Sequence, residues 1–137
     1  MTGTKPNETE DLLREVTDRD FEAEVEKSPR PTVVMFFSET CPHCRAIKPY
    51  VEGFARDFRD RVRFVTMDVG ASPWTAERFD VRSTPTFTFF CHGRPVQELV
   101  GAILPAAIKR QVEEFEVHGE QCIRQSTEID YDITGYG

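Results

Sequence analysis

Residues 32–44 read TVVMFFSETCPHC, and this stretch decides the fold. Its first part, Thr32–Phe37, is a short apolar run rich in β-branched and aromatic residues, which is typical of a strand buried on both faces of a sheet. In residues 45–58, apolar side chains recur at steps of three and four, which predicts an amphipathic helix. Cys41 and Cys44 therefore lie at a strand-to-helix junction.

This junction favours a reactive sulfur at Cys41. A helix N-terminus presents unpaired backbone N–H groups and the positive end of the helix dipole, and both stabilise a thiolate. Pro42 falls at an early helical position, where its missing N–H costs nothing. We expect an exposed Cys41 to attack a disulfide and a shielded Cys44 to resolve the mixed disulfide. Between them, His43 adds positive charge or a hydrogen bond that stabilises the thiolate further.

The same Cys-x-x-Cys spacing also occurs as half of a zinc site. A structural zinc needs four ligands, whereas the other two cysteines, Cys91 and Cys122, are single and far apart. We therefore predict dithiol redox chemistry, with no metal and no bound cofactor. Cys91 ends a predicted strand and is most simply a buried core thiol. A Cys91–Cys122 bridge or a regulatory thiol remains the alternative.

The composition limits the classes of function. The 137 residues are 39% hydrophobic and include 11 Phe, which indicates one globular domain with a substantial core. The net charge of −7 argues against nucleic acid or an anionic membrane as the main partner. There is no apolar run long enough to cross a bilayer, and the polar N-terminus has no signal-peptide core. These features predict a cytoplasmic location, where cysteines serve catalysis or metal binding more often than structural disulfides.

From residue 32 onward, periodicity predicts the order β-α-β-α-β-β-α, which gives an α/β fold with a central mixed sheet and helices on both faces. The predicted strands cover residues 12–16, 32–37, 61–69, 86–91 and 95–100. The predicted helices run from a capping box at 17–20 to about residue 27, over 45–58, over 73–79 and over 104–117.

The ends of the chain differ from this core in composition. We expect a flexible lead-in over residues 1–10, the folded domain over 11–117 and a flexible tail over 118–137. Within the tail, Ile129, Tyr131 and Ile133 alternate with acidic residues, which is a weak strand pattern. Pairing of the tail with a sheet edge of this chain or of a partner therefore stays open.

Several segments in this order resemble the thioredoxin family. The segment from Phe36 to Cys44 is similar to its active-site segment, and Thr84-Pro85-Thr86 to the segment that carries its cis-proline. His92-Gly93 and Gly101-Ala102 resemble its hairpin turn and the glycine element after its last strand. The resemblance covers roughly residues 12–117 and implies a thioredoxin fold.

The resemblance also implies an activity and its partners. It implies a monomeric protein-disulfide oxidoreductase that acts on protein disulfides or dithiols and needs a recycling reductase or oxidant. In the family, the cis-proline lies against the dithiol, where it excludes metal, and the residue before it offers backbone groups to a bound peptide. This assigns substrate binding to Thr84 and Pro85. Thr40 stands where the family often has a tryptophan, so part of the apolar docking surface is absent.

Two further departures concern proton transfer. Met35 stands where thioredoxins usually bury an aspartate, and Thr66 replaces its partner lysine. Water, Glu39 or His43 must then accept the proton of Cys44.

The Pro42-His43 pair resembles that of strongly oxidising periplasmic disulfide oxidases more than the Gly-Pro of thioredoxins. A stabilised thiolate stabilises the reduced protein and raises its redox potential. A more oxidising disulfide oxidase or isomerase is therefore the alternative function. A non-catalytic docking module that uses the fold and its acidic tail, and metal delivery through the dithiol, are the competing classes.

Overall fold

The computed structural model describes residues 13–28 and 30–117. Its strands are β1 (Leu13–Glu15), β2 (Thr32–Phe37), β3 (Arg63–Asp68), β4 (Thr86–Cys91) and β5 (Arg94–Val100). They form one sheet in the order β1-β3-β2-β4-β5. β3 pairs in parallel with β1 and β2, whereas β4 pairs antiparallel with β2 and β5. This arrangement confirms the predicted mixed sheet.

Three α-helices accompany the sheet: the long helix Pro42–Asp57, the short helix Pro73–Arg78 and the last helix Pro105–Val117. The long helix continues through Pro49. Each helix begins with proline at its first position, where no backbone N–H is needed.

The helix predicted from the capping box to about residue 27 is present but is shorter and of a different type, because the chain forms the five-residue π-helical segment Glu22–Glu26. The backbone N–H of Lys27 bonds to the carbonyl of Glu22, five residues back, which widens and closes the turn. Only half of the capping box forms. The Asp20 carboxylate accepts the backbone N–H of Thr17 at 2.6 Å, which is one arm of the box. The backbone N–H of Asp20 donates to the carbonyl of Thr17 at 3.2 Å and not to its hydroxyl, so the other arm is missing.

Different elements bury the two faces of the sheet. The long and last helices cover a face lined by Leu13, Val33, Met35, Phe64, Phe87 and Phe89. The π-helical segment and the end of the short helix cover the face lined by Val34, Phe36, Val65, Met67 and Phe90. On this second face the rings of Phe21, Phe79 and Phe90 pack with centroids 5.1 to 5.6 Å apart. Full burial of one such side chain contributes roughly 1.5–3 kcal/mol.

Some predictions fall beyond this part of the chain. The lead-in 1–10, the tail 118–137 and Cys122 lie outside the described residues. Cys91 is buried at the end of β4, as predicted, but it is not a free thiol. Among the described residues, no helix combines the length and apolar character needed to cross a membrane.

Asp18 caps the short helix from a distant part of the chain. Its carboxylate accepts the backbone N–H groups of Trp74 at 3.2 Å and Thr75 at 2.8 Å, and the Thr75 hydroxyl at 2.7 Å. Ser72, at the N-cap position, makes no side-chain capping bond, and its hydroxyl instead accepts the N–H of Asp18. Burial acts to raise the pKa of Asp18, but the bonds from Thr75 and Trp74 outweigh it and hold this pKa below its ordinary value.

We expect Asp18→Ala to lower the free energy of unfolding at neutral pH by about 1 kcal/mol, since it removes the cap of the short helix. The folded-state pKa of Asp18 is depressed, so the stabilisation exists above the pKa of the unfolded chain and disappears as the pH falls through the folded-state pKa. Urea unfolding at neutral pH and at a pH of about 2.5 measures both effects. Asp60→Ala, at an exposed position, is the matched control. An equal loss at both pH values would contradict the capping role.

Candidate active site

The two cysteines of the sequence motif form a disulfide at the start of the long helix. Cys41 is the N-cap residue with an extended backbone, and Cys44 lies in the first turn, with 5.2 Å between their Cα atoms. The backbone N–H of Cys44 donates to the Cys41 sulfur at 3.1 Å. A side chain that accepts from the first turn of a helix is well placed to carry negative charge. The Cys41 sulfur therefore occupies the position that stabilises a thiolate.

Nothing in the first turn opposes that charge. The turn holds no acidic side chain. Pro42 is its first residue, and His43 follows with an exposed side chain beside the disulfide. The prediction that Cys41 is exposed is wrong, since Cys41 and Cys44 are only 7% and 4% exposed. The reason is a second loop, the one that carries Pro85, which packs against Cys41.

That loop comes from the start of β4. The Thr84–Pro85 peptide bond is cis, and the carbonyl oxygen of Thr84 lies 3.5 Å from the Cys41 sulfur. The N–H of Gly101 donates to the Pro85 carbonyl at 2.8 Å, with a φ of +98° that favours glycine. The Thr86 hydroxyl also donates to the Ser83 carbonyl at 2.7 Å. These bonds fix the Thr84 backbone next to the dithiol.

The structure thus brings four of the predicted site residues together: Cys41, Cys44, Thr84 and Pro85. The three others form an exposed rim: Thr40, Pro42 and His43. Thr40 lies in the turn between β2 and the long helix, where its backbone N–H donates to the Ser38 hydroxyl at 3.2 Å. The buried Cys41–Cys44 pair therefore lies next to an exposed rim and a fixed segment of backbone.

Behind Cys44 lies a cavity of about 120 Å³. Cys44 borders it together with buried Met35 and Thr66, and Glu39, Arg45 and Lys48 are the charged residues around it. Met35 and Thr66 place no ionisable group against the buried thiol. No group of three or more potential metal ligands exists in residues 13–28 and 30–117.

The sequence patterns do not single out Glu15, the last residue of β1, whose pKa is shifted. Partial burial and the carboxylate of Asp68 raise the pKa of Glu15, and Glu39 adds to this effect while Lys48 opposes it. Its only signal in the sequence is a polar residue at the end of a predicted strand. Its closeness to Asp68 and Lys48 follows from strand pairing, which local sequence does not reveal.

Comparison with known proteins agrees with this architecture. The family model described as Thioredoxin matches residues 13–114. A thioredoxin of Streptomyces clavuligerus is 36% identical over 99 residues, which cover 72% of this chain and 92% of that protein. Thioredoxin M4, chloroplastic, of Arabidopsis thaliana is 31% identical over 102 residues, 74% of this chain. A bifunctional thioredoxin reductase/thioredoxin of Mycobacterium leprae is 37% identical over 98 residues, 72% of this chain.

The chain spans 53% of the length of the chloroplastic relative and 21% of the bifunctional one. The mixed sheet and the Cys41–Cys44 pair at a helix N-terminus define the class as thioredoxin-fold proteins with a dithiol/disulfide site. Within that class, the chain belongs to the thioredoxin family.

Proposed function

We propose that this protein reduces or exchanges protein disulfides, with Cys41 as the nucleophile and Cys44 as the resolving thiol. The Cys41 thiolate attacks a substrate disulfide and forms a mixed disulfide. Cys44 then attacks the Cys41 sulfur, the substrate leaves reduced, and the Cys41–Cys44 disulfide remains. The observation that carries this proposal is the 3.1 Å hydrogen bond from the Cys44 backbone N–H to the Cys41 sulfur at the helix N-terminus, because it favours the thiolate at Cys41.

Thr84 and Pro85 hold the substrate peptide in this proposal. The Thr84 carbonyl lies 3.5 Å from the Cys41 sulfur, so an extended peptide that pairs with this backbone brings its own disulfide to Cys41. Thr40 and Pro42 contribute the exposed rim on the other side of the sulfur. Main-chain pairing accepts many sequences, which suits an enzyme that serves several substrates.

Turnover needs a protein that recycles the dithiol. A thioredoxin reductase is our first candidate for reduction, supported by the fused reductase/thioredoxin of Mycobacterium leprae. A monomer with a domain over residues 11–117 suits such partners, because a monomer leaves the dithiol face open. The cytoplasmic location stays a prediction from the sequence, and the named relatives include a chloroplastic protein.

The second candidate function is a more oxidising disulfide oxidase or isomerase. It is favoured by His43, which lies exposed in a first turn that holds no acidic residue. Positive charge there stabilises the reduced form and makes the disulfide a stronger oxidant. The docking module has no comparable support, since binding alone needs no dithiol at a helix N-terminus.

Trapping of the mixed disulfide tests the roles of the two cysteines. We expect Cys44→Ser to accumulate disulfide-linked substrate on Cys41, because the resolving step is blocked while the attack remains. Reduced variants mixed with a disulfide-containing protein such as insulin, quenched in acid and analysed by mass, measure the adduct. Cys41→Ser is the matched control and should trap little. Trapping on Cys41→Ser but not on Cys44→Ser would reverse the assignment.

A further inference from the structure

The resolving thiol must lose a proton before it can attack, and the structure restricts where that proton goes. Cys44 is 4% exposed, so bulk water does not reach it directly. Its sulfur borders the cavity of about 120 Å³, which is large enough to hold several water molecules. Any acceptor for the proton must therefore face this cavity or its edge.

Glu39 is the carboxylate among the residues that line the cavity, and strand register places a second carboxylate, Glu15, on the row of the sheet that contains Thr66 and Met35. Glu15 is paired with Thr66, and Thr66 with Met35. Directly opposite residues of neighbouring strands share a face of the sheet, so Glu15 points to the same side as the two residues that border the cavity. With strands about 4.8 Å apart, the backbone of Glu15 lies about 10 Å from that of Met35, so a proton would have to cross between them through water.

We propose that the Glu15 carboxylate accepts, through water in this cavity, the proton that Cys44 loses before it attacks the mixed disulfide. This inference rests on the proposed function and supplies a proton acceptor in a chain that has Met35 in place of a buried aspartate. The acceptor comes from a different strand, the edge strand β1.

The surroundings of Glu15 suit this role. Asp68 lies two residues beyond Thr66 on the same face of β3, and its negative charge increases the proton affinity of Glu15. Glu39 acts in the same direction, while Lys48 on the long helix acts against it. Arg45 is the other charged group at the cavity. A carboxylate with a raised pKa is a stronger base, and its basicity lies closer to that of a thiolate.

The step is balanced in atoms and electrons. The Cys44 S–H proton passes to Glu15, and the resulting thiolate attacks the Cys41 sulfur. The Cys41–Cys44 bond forms while the bond between Cys41 and the substrate sulfur breaks. The substrate leaves as a thiolate with the electron pair and takes a proton from solvent. Glu15 releases its proton to solvent through its exposed side.

Stopped-flow reaction of excess reduced protein with dithiobis(nitrobenzoate) separates the two steps, because each step releases one coloured thiolate. The first release reports the attack of Cys41, and the second, absent in Cys44→Ser, reports resolution by Cys44. We expect Glu15→Gln to slow the second release about tenfold at neutral pH and leave the first unchanged. Glu114→Gln, an exposed position on the last helix, is the matched charge control and should match the wild type.

The pH profile distinguishes proton transfer from a structural effect. In the wild type, the rate of the second release should rise with pH and show an inflection at the pKa of Glu15. Glu15→Gln should lose this inflection. Asp68→Asn should move the inflection to lower pH, because it removes the carboxylate that raises the pKa of Glu15. Since that pKa is raised on folding, Glu15→Gln should be at least as stable as the wild type at neutral pH.

Two results would overturn the inference. One is a rate of the second release in Glu15→Gln that equals the wild-type rate. The other is the same slowing in Glu39→Gln or His43→Gln but not in Glu15→Gln, which would assign the proton to that residue instead. Absence of the first release in the wild type would contradict the proposed function itself, and the inference with it.

Discussion

Cys41→Ser is expected to reduce the rate of protein-disulfide reduction at least about a thousandfold, because it removes the nucleophile. A serine hydroxyl is not ionised at neutral pH and forms no disulfide with Cys44. The long helix keeps its N-cap, since serine accepts the same backbone bond that the Cys41 sulfur accepts from Cys44. The loss should therefore be chemical and not structural. Insulin reduction with dithiothreitol as the electron donor measures it.

The unfolding midpoint of Cys41→Ser, compared with that of the reduced wild type, is the control for folding. Cys44→Ser should lose turnover to a similar extent while it retains one attack per molecule, because the mixed disulfide forms and is not resolved. Equal insulin reduction by the wild type and Cys41→Ser would contradict the enzyme and favour the docking module. Loss in Cys41→Ser with full activity in Cys44→Ser would indicate a mechanism that needs a single thiol.

The centre of the fold was predictable because its signals are local. Each signal is contained in a short window: the apolar run Thr32–Phe37 and the helical spacing after Cys44. The structure confirms both predictions, with β2 over the run and the long helix after it. The segment between β1 and β2 was harder to predict. Residues 17–28 carry helix signals, but the Asp20 carboxylate is used in the turn before the π-helical segment. Whether a short segment closes its turns with bonds four or five residues back, as the Lys27 N–H does to the Glu22 carbonyl, is not visible in sequence.

The residues of the site were also predictable only where their sequence signal is local. Cys41 and Cys44 lie three residues apart in sequence and were identified from their spacing. Thr84 lies 43 residues from Cys41, and only the resemblance to a family connected them. Glu15 had no such support, because its relation to Met35 depends on two parallel strand pairings with long crossovers. The burial of Cys41 likewise depends on a loop from a distant part of the chain.

The second large effect concerns the redox potential. We expect the wild-type potential to be more oxidising than the roughly −270 mV of thioredoxin, and Pro42→Gly/His43→Pro, which restores the Gly-Pro of thioredoxins, to lower it by tens of millivolts. His43 lies in the first turn of the long helix, beside a sulfur that already accepts a backbone N–H. Removing it takes positive charge from the thiolate and destabilises the reduced form. Equilibration in glutathione buffers, with acid quench, alkylation and mass analysis, measures the potential.

His43→Gln separates the charge of the side chain from the backbone effect of Pro42, since glutamine keeps hydrogen-bonding groups without a positive charge. If the charge is responsible, this single variant should reproduce most of the shift in potential. A wild-type value near −270 mV, unchanged in both variants, would contradict the role of His43 and favour a reductase. A value between roughly −180 and −120 mV would favour net oxidation or isomerisation, which a reducing cytoplasm does not sustain, so the predicted location would then be wrong.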